Sequence, residues 1–110
     1  MIHQLRIYGI FEASKADFHA RFRDHAARLM RDHGFDIRAM WETTTAARTE
    51  FVYLIAWPDE ATMKARWADF MADPEWVRKQ ETGAGAAAGG LLVGVIEDRV
   101  LRLVDYSPAP

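Results

Sequence analysis

Residues 50–57 read EFVYLIAW, and the reading of this segment decides the fold. Side chains alternate along a strand, so Phe51, Tyr53, Ile55 and Trp57 share one face while Val52, Leu54 and Ala56 share the other. Both faces are apolar, and both must therefore be covered. Working outward, residues 35–44, FDIRAMWETT, alternate as Ile37, Ala39 and Trp41 against Arg38, Met40 and Glu42, which is a second strand. The polar TTAART at 44–49 turns one strand into the next.

Helices flank this hairpin. Residues 13–34 place Phe18, Phe22, His25, Ala26, Leu29, Met30 and His33 on one stripe, which predicts one long amphipathic helix. Ser14 and Asp17 resemble a capping box, and Gly34 supplies the stop. Residues 58–80 predict a second helix capped by Asp59, with Met63, Trp67, Phe70 and Met71 as its stripe. Asp73-Pro74 then starts a short helix through Lys79. The small, uncharged TGAGAAAGG at 82–90 reads as a connector, with a mobile lid as its rival reading. A last strand lies in LLVGVIEDRVLRLV at 91–104, with EDR as a candidate bulge or bend.

The first strand, IHQLRIYG at 2–9, completes the order strand, helix, strand, strand, helix, strand. That is the α+β ferredoxin-like βαββαβ plan, with a four-stranded antiparallel sheet and helices on one face. The expected domain is 1–104, with 105–110 as a tail. Two helices cover only one sheet face, and monomers rarely leave a large apolar patch exposed. A second copy packed sheet to sheet covers the other, so a homodimer is expected. Within this arrangement Leu5 and Ile7 are expected to face the helices. Gln4, Arg6 and Tyr8 are expected to face the interior between two sheets.

Composition narrows the function classes. The chain has 110 residues, half of them hydrophobic, no cysteine and a net charge of −2. Disulfides, thiolate metal sites and cysteine nucleophiles are excluded. No Lys/Arg run offers a phosphate track, so no nucleic-acid partner is expected. No apolar run approaches the ~20 residues that cross a bilayer, so no membrane partner is expected. The chain opens with a strand rather than the charged and apolar regions of a signal peptide, so a cytoplasmic location is the expectation. No histidine pair has helical metal-site spacing and no P-loop or GxSxG elbow occurs, so neither a metal nor a bound cofactor is expected.

Several pieces together resemble the NIPSNAP family of the dimeric α+β barrel superfamily: HQLRIYGI, HGFDIRAMWETT, EFVYLIAW, ADPEW and LLVGVIEDRVLR. The resemblance spans nearly the whole chain, and Arg6 and Tyr8 match the family's strand-one Arg and Tyr. It implies a protomer that dimerises through its sheets. The superfamily includes cofactor-free monooxygenases, isomerases and haem-binding proteins. Three departures limit the transfer. Tyr53 stands where the family often has histidine, Arg48-Thr49 where it often has a Leu-Asn turn, and the Gly/Ala loop at 83–90 is unlike the usual segment.

An arginine in a strand interior must be paired or must meet water or a ligand. Two roles fit Arg6: clamping an anionic group, or pairing with a carboxylate such as Glu42 to fix register. The expected ligand-binding set is Gln4, Arg6, Tyr8, Met40, Glu42, Tyr53 and Trp57. Catalytic candidates are Arg6, Tyr8, Glu42 and Tyr53. Arg6 would stabilise an enolate or carboxylate, while a tyrosine hydroxyl or Glu42 manages protons. The rival class is a non-catalytic dimeric scaffold with a filled barrel. Haem capture by a histidine is a third reading. His19 is expected to be solvated, His25 to be a satisfied core or edge residue, and His33 to complement the helix dipole. Trp67 and Trp76 are read as core or interface anchors.

Overall fold

A computed structural model describes residues 1–81 and 93–110. Strands β1 (Ile2–Ile10), β2 (Asp36–Thr44), β3 (Thr49–Trp57) and β4 (Val93–Leu101) form one antiparallel sheet in the order β2-β3-β1-β4. β1 and β3 are central, as their apolar content requires. The Gly/Ala loop and its lid reading lie outside the described residues.

The first helical stretch runs from Lys15 to Asp32, after a 3₁₀ turn at Glu12–Ser14. It is not a uniform α-helix. α1 (Lys15–Arg21) passes into a π turn at Phe22–Ala26 and continues as α2 (Ala27–Asp32). The Ser14 side chain makes no capping bond, so the capping box is not formed. Gly34 follows with φ of 86°, the left-handed conformation that ends the helix. α3 (Glu60–Met71) is capped as expected: Thr62 N–H donates to Asp59 Oδ1 at 2.7 Å. α4 spans Pro74–Glu81, and Asp73 Oδ1 accepts from Glu75 N–H at 2.8 Å. His33 does more than face a helix dipole. Its Nε2 lies 2.8 Å from Asp73 Oδ2, tying the end of α2 to the start of α4. That hydrogen bond holds the Asp73 carboxyl below its ordinary pKa. Among the described residues, no helix is long and apolar enough to cross a membrane.

The faces of the sheet differ from the sequence expectation. Tyr8 packs edge-on against Phe18 and Phe22, and Trp57 packs edge-on against Phe35 at 4.8 Å. The face carrying Ile2, Gln4, Arg6, Tyr8 and Ile10 is therefore the helix-covered one. Register places Tyr8 opposite Phe51, Arg6 opposite Tyr53, Gln4 opposite Ile55 and Ile2 opposite Trp57. The bulky β3 aromatics fill the space beneath the helices, and their cross-strand neighbours must share that layer. Leu5, Ile7, Val52 and Leu54 lie on the other face. A register shift between Ile37 and Ala39 puts Ile37 on the helix side with Met40 and Glu42, and leaves Ala39 and Trp41 on the open side. β4 runs unbroken through EDR; the irregularity sits at Gly9/Ile10 instead. There the Arg48 side chain crosses β1 so closely that a Cβ on Gly9 would meet Arg48 Cδ at 3.2 Å.

α3 separates core from surface within adjacent residues. Phe70 is buried against Phe35, Trp67 and Trp76, whereas Met71 is exposed and not part of the stripe. Phe70→Ala is expected to cost about 3–5 kcal/mol in urea unfolding. Met71→Ala is expected to stay within about 0.5 kcal/mol. Equal effects would contradict this packing.

Candidate functional site

The site is a polar seam in the layer between sheet and helices. Arg6 lies at its centre. Its Nη1 is 3.2 Å from Asp98 Oδ2, directly opposite in the β1–β4 register. Its Nη2 donates to Tyr8 Oη at 3.2 Å, and Cζ sits 4.5 Å from the centre of the Trp67 ring. The carboxylate that Arg6 meets is Asp98, not Glu42. The guanidinium is not saturated, because its buried Nε has no hydrogen-bond partner among the described residues. Burial draws its pKa down, and the Tyr8 and Tyr53 oxygens more than reverse that, so it is a fixed cation.

Tyr8 and Tyr53 form a phenol pair with oxygens 2.6 Å apart. Tyr53 is wholly buried (0 % exposed), and Tyr8 nearly so (8 %). Burial, followed by the neighbouring Tyr8 oxygen, pushes the Tyr53 hydroxyl well above the ordinary tyrosine pKa. Tyr53 is therefore a neutral donor rather than a base. Two hydroxyl protons share one oxygen–oxygen contact, so one must look elsewhere. Satisfying the deeper group has Tyr53 donate to Tyr8, whose oxygen also accepts from Arg6. In that arrangement the Tyr8 O–H is the proton left to donate to a further acceptor, polarised by two incoming hydrogen bonds.

Gln4 is built into the frame. Its Oε1 accepts from Trp57 Nε1 at 2.9 Å and from Trp67 Nε1 at 2.7 Å. Its Nε2 donates to the Asp98 oxygens at 2.9 and 3.2 Å. Both ends are engaged, so Gln4 positions the indoles and Asp98 rather than reaching for a ligand. Trp57 is likewise a core residue. Met40, opposite Tyr53, packs against the core from β2.

Glu42 departs furthest from expectation. It is exposed, with Oε1 2.8 Å from His19 Nε2 and Oε2 3.5 Å from Lys15 Nζ. The His19 hydrogen bond, aided by Lys15, holds its carboxyl below the usual range. The carboxylate is thus committed to α1, away from the Arg6 seam, and His19 is paired rather than simply solvated. Asp98 and Trp67 escaped the sequence reading. Asp98 becomes visible only once the β1–β4 register is known. Trp67 falls on a core stripe, and its polar N–H was the one available signal.

The NIPSNAP family model matches residues 3–108. No curated protein matches the chain. Among solved structures, a NIPSNAP family protein from Agrobacterium tumefaciens superposes with a TM-score of 0.81 at 16 % identity, covering 99 % of this chain and 98 % of its own. An uncharacterized NIPSNAP domain protein from Burkholderia xenovorans gives 0.78 at 18 % identity, covering 99 % and 100 %. A cofactor-independent oxygenase from Streptomyces nogalater gives 0.58 at 16 % identity, covering 98 % and 97 %. At these identities the likeness speaks to fold.

The seam makes a charge-sensitive prediction. Gln4→Glu sets a second carboxylate beside Asp98, raising its folded-state pKa above about 4.3. The variant is expected to lose on the order of 3 kcal/mol at pH 7. The deficit should shrink as pH falls through the raised folded pKa and be lost below about 4.3, where both states are protonated. Urea titrations across this range check it, and a pH-independent deficit would contradict it.

Proposed function

The chain belongs to the NIPSNAP family, and from that premise we propose that it binds a small organic ligand carrying an anionic oxygen at Arg6. The carrying observation is the guanidinium itself. It is largely buried (side chain 15 % exposed); among the described residues its Nε has no hydrogen-bond partner and its carboxylate partner is Asp98, 45 % exposed. Asp98 engages Nη1 and leaves the Nε edge without an acceptor among the described residues, so an incoming carboxylate or enolate can take that edge. The remaining Tyr8 O–H supplies a second donor, and the Trp67 ring offers an aromatic wall. In a cofactor-free oxidation or isomerisation, Arg6 and Tyr8 would stabilise the oxyanion as charge develops. The seam lies between sheet and helices within one protomer, rather than between two sheets.

The open face supports a homodimer. Leu5, Ile7, Val52 and Leu54 form an apolar centre beside Trp41, which is 51 % exposed. Arg48, held by Glu50 at 2.7 Å and Glu97 at 3.6 Å, adds a rim of both signs. Mixed charge around an apolar patch suits self-association about a two-fold axis. Trp41→Glu is expected to yield a folded monomer by sedimentation and circular dichroism. A monomeric parent protein would contradict the dimer.

The saturation of Gln4 favours a second reading, a non-catalytic scaffold with a filled interior. Arg6→Met separates the two, with benzoate as probe. Clamping predicts stability equal to or above the parent, because Asp98 is free to re-solvate, and benzoate affinity at least about tenfold weaker by calorimetry. A scaffold predicts lost stability or lost dimer and benzoate binding that is the same in both proteins.

A further inference from the structure

Beyond the Arg6 seam, we propose a second carboxylate-binding subsite built by Arg21 and Trp76, with His25 beside it. Arg21 closes α1, and its Cζ sits 5.0 Å from the Trp76 ring centre. Among the described residues neither Arg21 Nε nor Trp76 Nε1 has a hydrogen-bond partner, and both atoms are buried. Arg21 makes no ion pair among the described residues. Burial lowers its pKa, the signature of a desolvated cation without an acid beside it. Buried donors are nearly always satisfied, so two in contact ask for an acceptor.

The local backbone carries an independent mark. The π turn at Phe22–Ala26 begins directly after Arg21 and contains His25, one turn further on. Such turns inside α-helices recur at functional sites. His25 Nδ1 is also buried and unbonded, within ion-pair range of Glu75 Oε2 at 3.5 Å but outside hydrogen-bond geometry. Glu75 is bonded to Arg28, and it makes no hydrogen bond to Arg21 Nε or Trp76 Nε1 among the described residues. An acceptor of one planar anionic group fits the donors present. The Nε edge of a guanidinium takes a carboxylate side-on, and an indole N–H at the rim of the same pair adds a third bond. A carboxylate is thus the favoured ligand chemistry, bound between α1 and α4.

Trp76 is linked to the Arg6 seam through rings. Phe70 lies 4.9 Å from Trp76 and 5.8 Å from Trp67, over which Arg6 sits. The subsite therefore stands at the other end of an aromatic row. It does not require Arg6 to bind anything.

The test is a benzoate titration of the full-length ¹⁵N-labelled protein, following the Trp76 Nε1–H and Arg21 Nε–H signals, with the indole assigned through Trp76→Phe. Both signals are expected to shift together and saturate. Arg21→Met should abolish the Trp76 shift while leaving thermal stability equal or higher, since a partly desolvated cation without an ion-pair partner among the described residues is removed. Arg21→Lys, which keeps charge but lacks Nε, should weaken binding about tenfold and serves if the Met variant fails to fold. Arg6→Met should leave the Trp76 response in place, which separates this site from the seam. A Trp76 signal unmoved by benzoate, or moved equally in Arg21→Met or Arg21→Lys, overturns the proposal.

Discussion

A guanidinium lying beneath helices is the constraint from which the rest of this molecule follows. Arg6 occupies the middle of a central strand, where water cannot solvate it fully and apolar neighbours cannot satisfy it. Asp98 arrives from β4 by register, Tyr8 from the same strand, and Trp67 from α3. Gln4 then couples Asp98 to the indoles of Trp57 and Trp67, so β1, β3, β4 and α3 share one hydrogen-bonded network. Such networks specify a single arrangement when fully satisfied. Among the described residues, Gln4, Asp98, Trp57 and Trp67 are all engaged in it, and the guanidinium's own buried Nε is not.

The constraint also explains the two faces of the sheet. Polar groups on the helix side are tolerated because they bond to one another, with large aromatics filling the remaining volume. The open side has an apolar centre of Leu5, Ile7, Val52, Leu54 and Trp41, and its charged groups, Arg48, Glu50, Glu97 and Arg99, lie around that centre. The chain's apolar surplus is therefore spent on a surface rather than wholly in the protomer's interior.

Much of the architecture was legible from periodicity. EFVYLIAW, the caps Asp59 and Asp73, and the stop at Gly34 are local signals, and local physics decides them. The choice of face for β1 was not legible. Leu5 and Ile7 look like the core side when β1 is read alone, but pairing with β3 joins Arg6 and Tyr8 to the aromatic layer. The β2 bulge, which moves Ile37 to the helix side, leaves no mark in composition. Of the site, Arg6, Tyr8 and Tyr53 emerged from strand reading, because they are polar atoms inside an apolar segment. Glu42 was misplaced, since its partners Lys15 and His19 come from a helix whose approach angle no spacing reveals. Asp98, Trp67, Arg21 and Trp76 depend on register and on helix docking, which only the folded chain supplies.

The most direct test of the central claim, an Arg6 poised for an anion in a dimeric protein, is native mass spectrometry with added benzoate. The account predicts a dimer that gains benzoate adducts, with one per protomer lost in Arg6→Met. A monomer, or an adduct pattern identical in parent and variant, would contradict it.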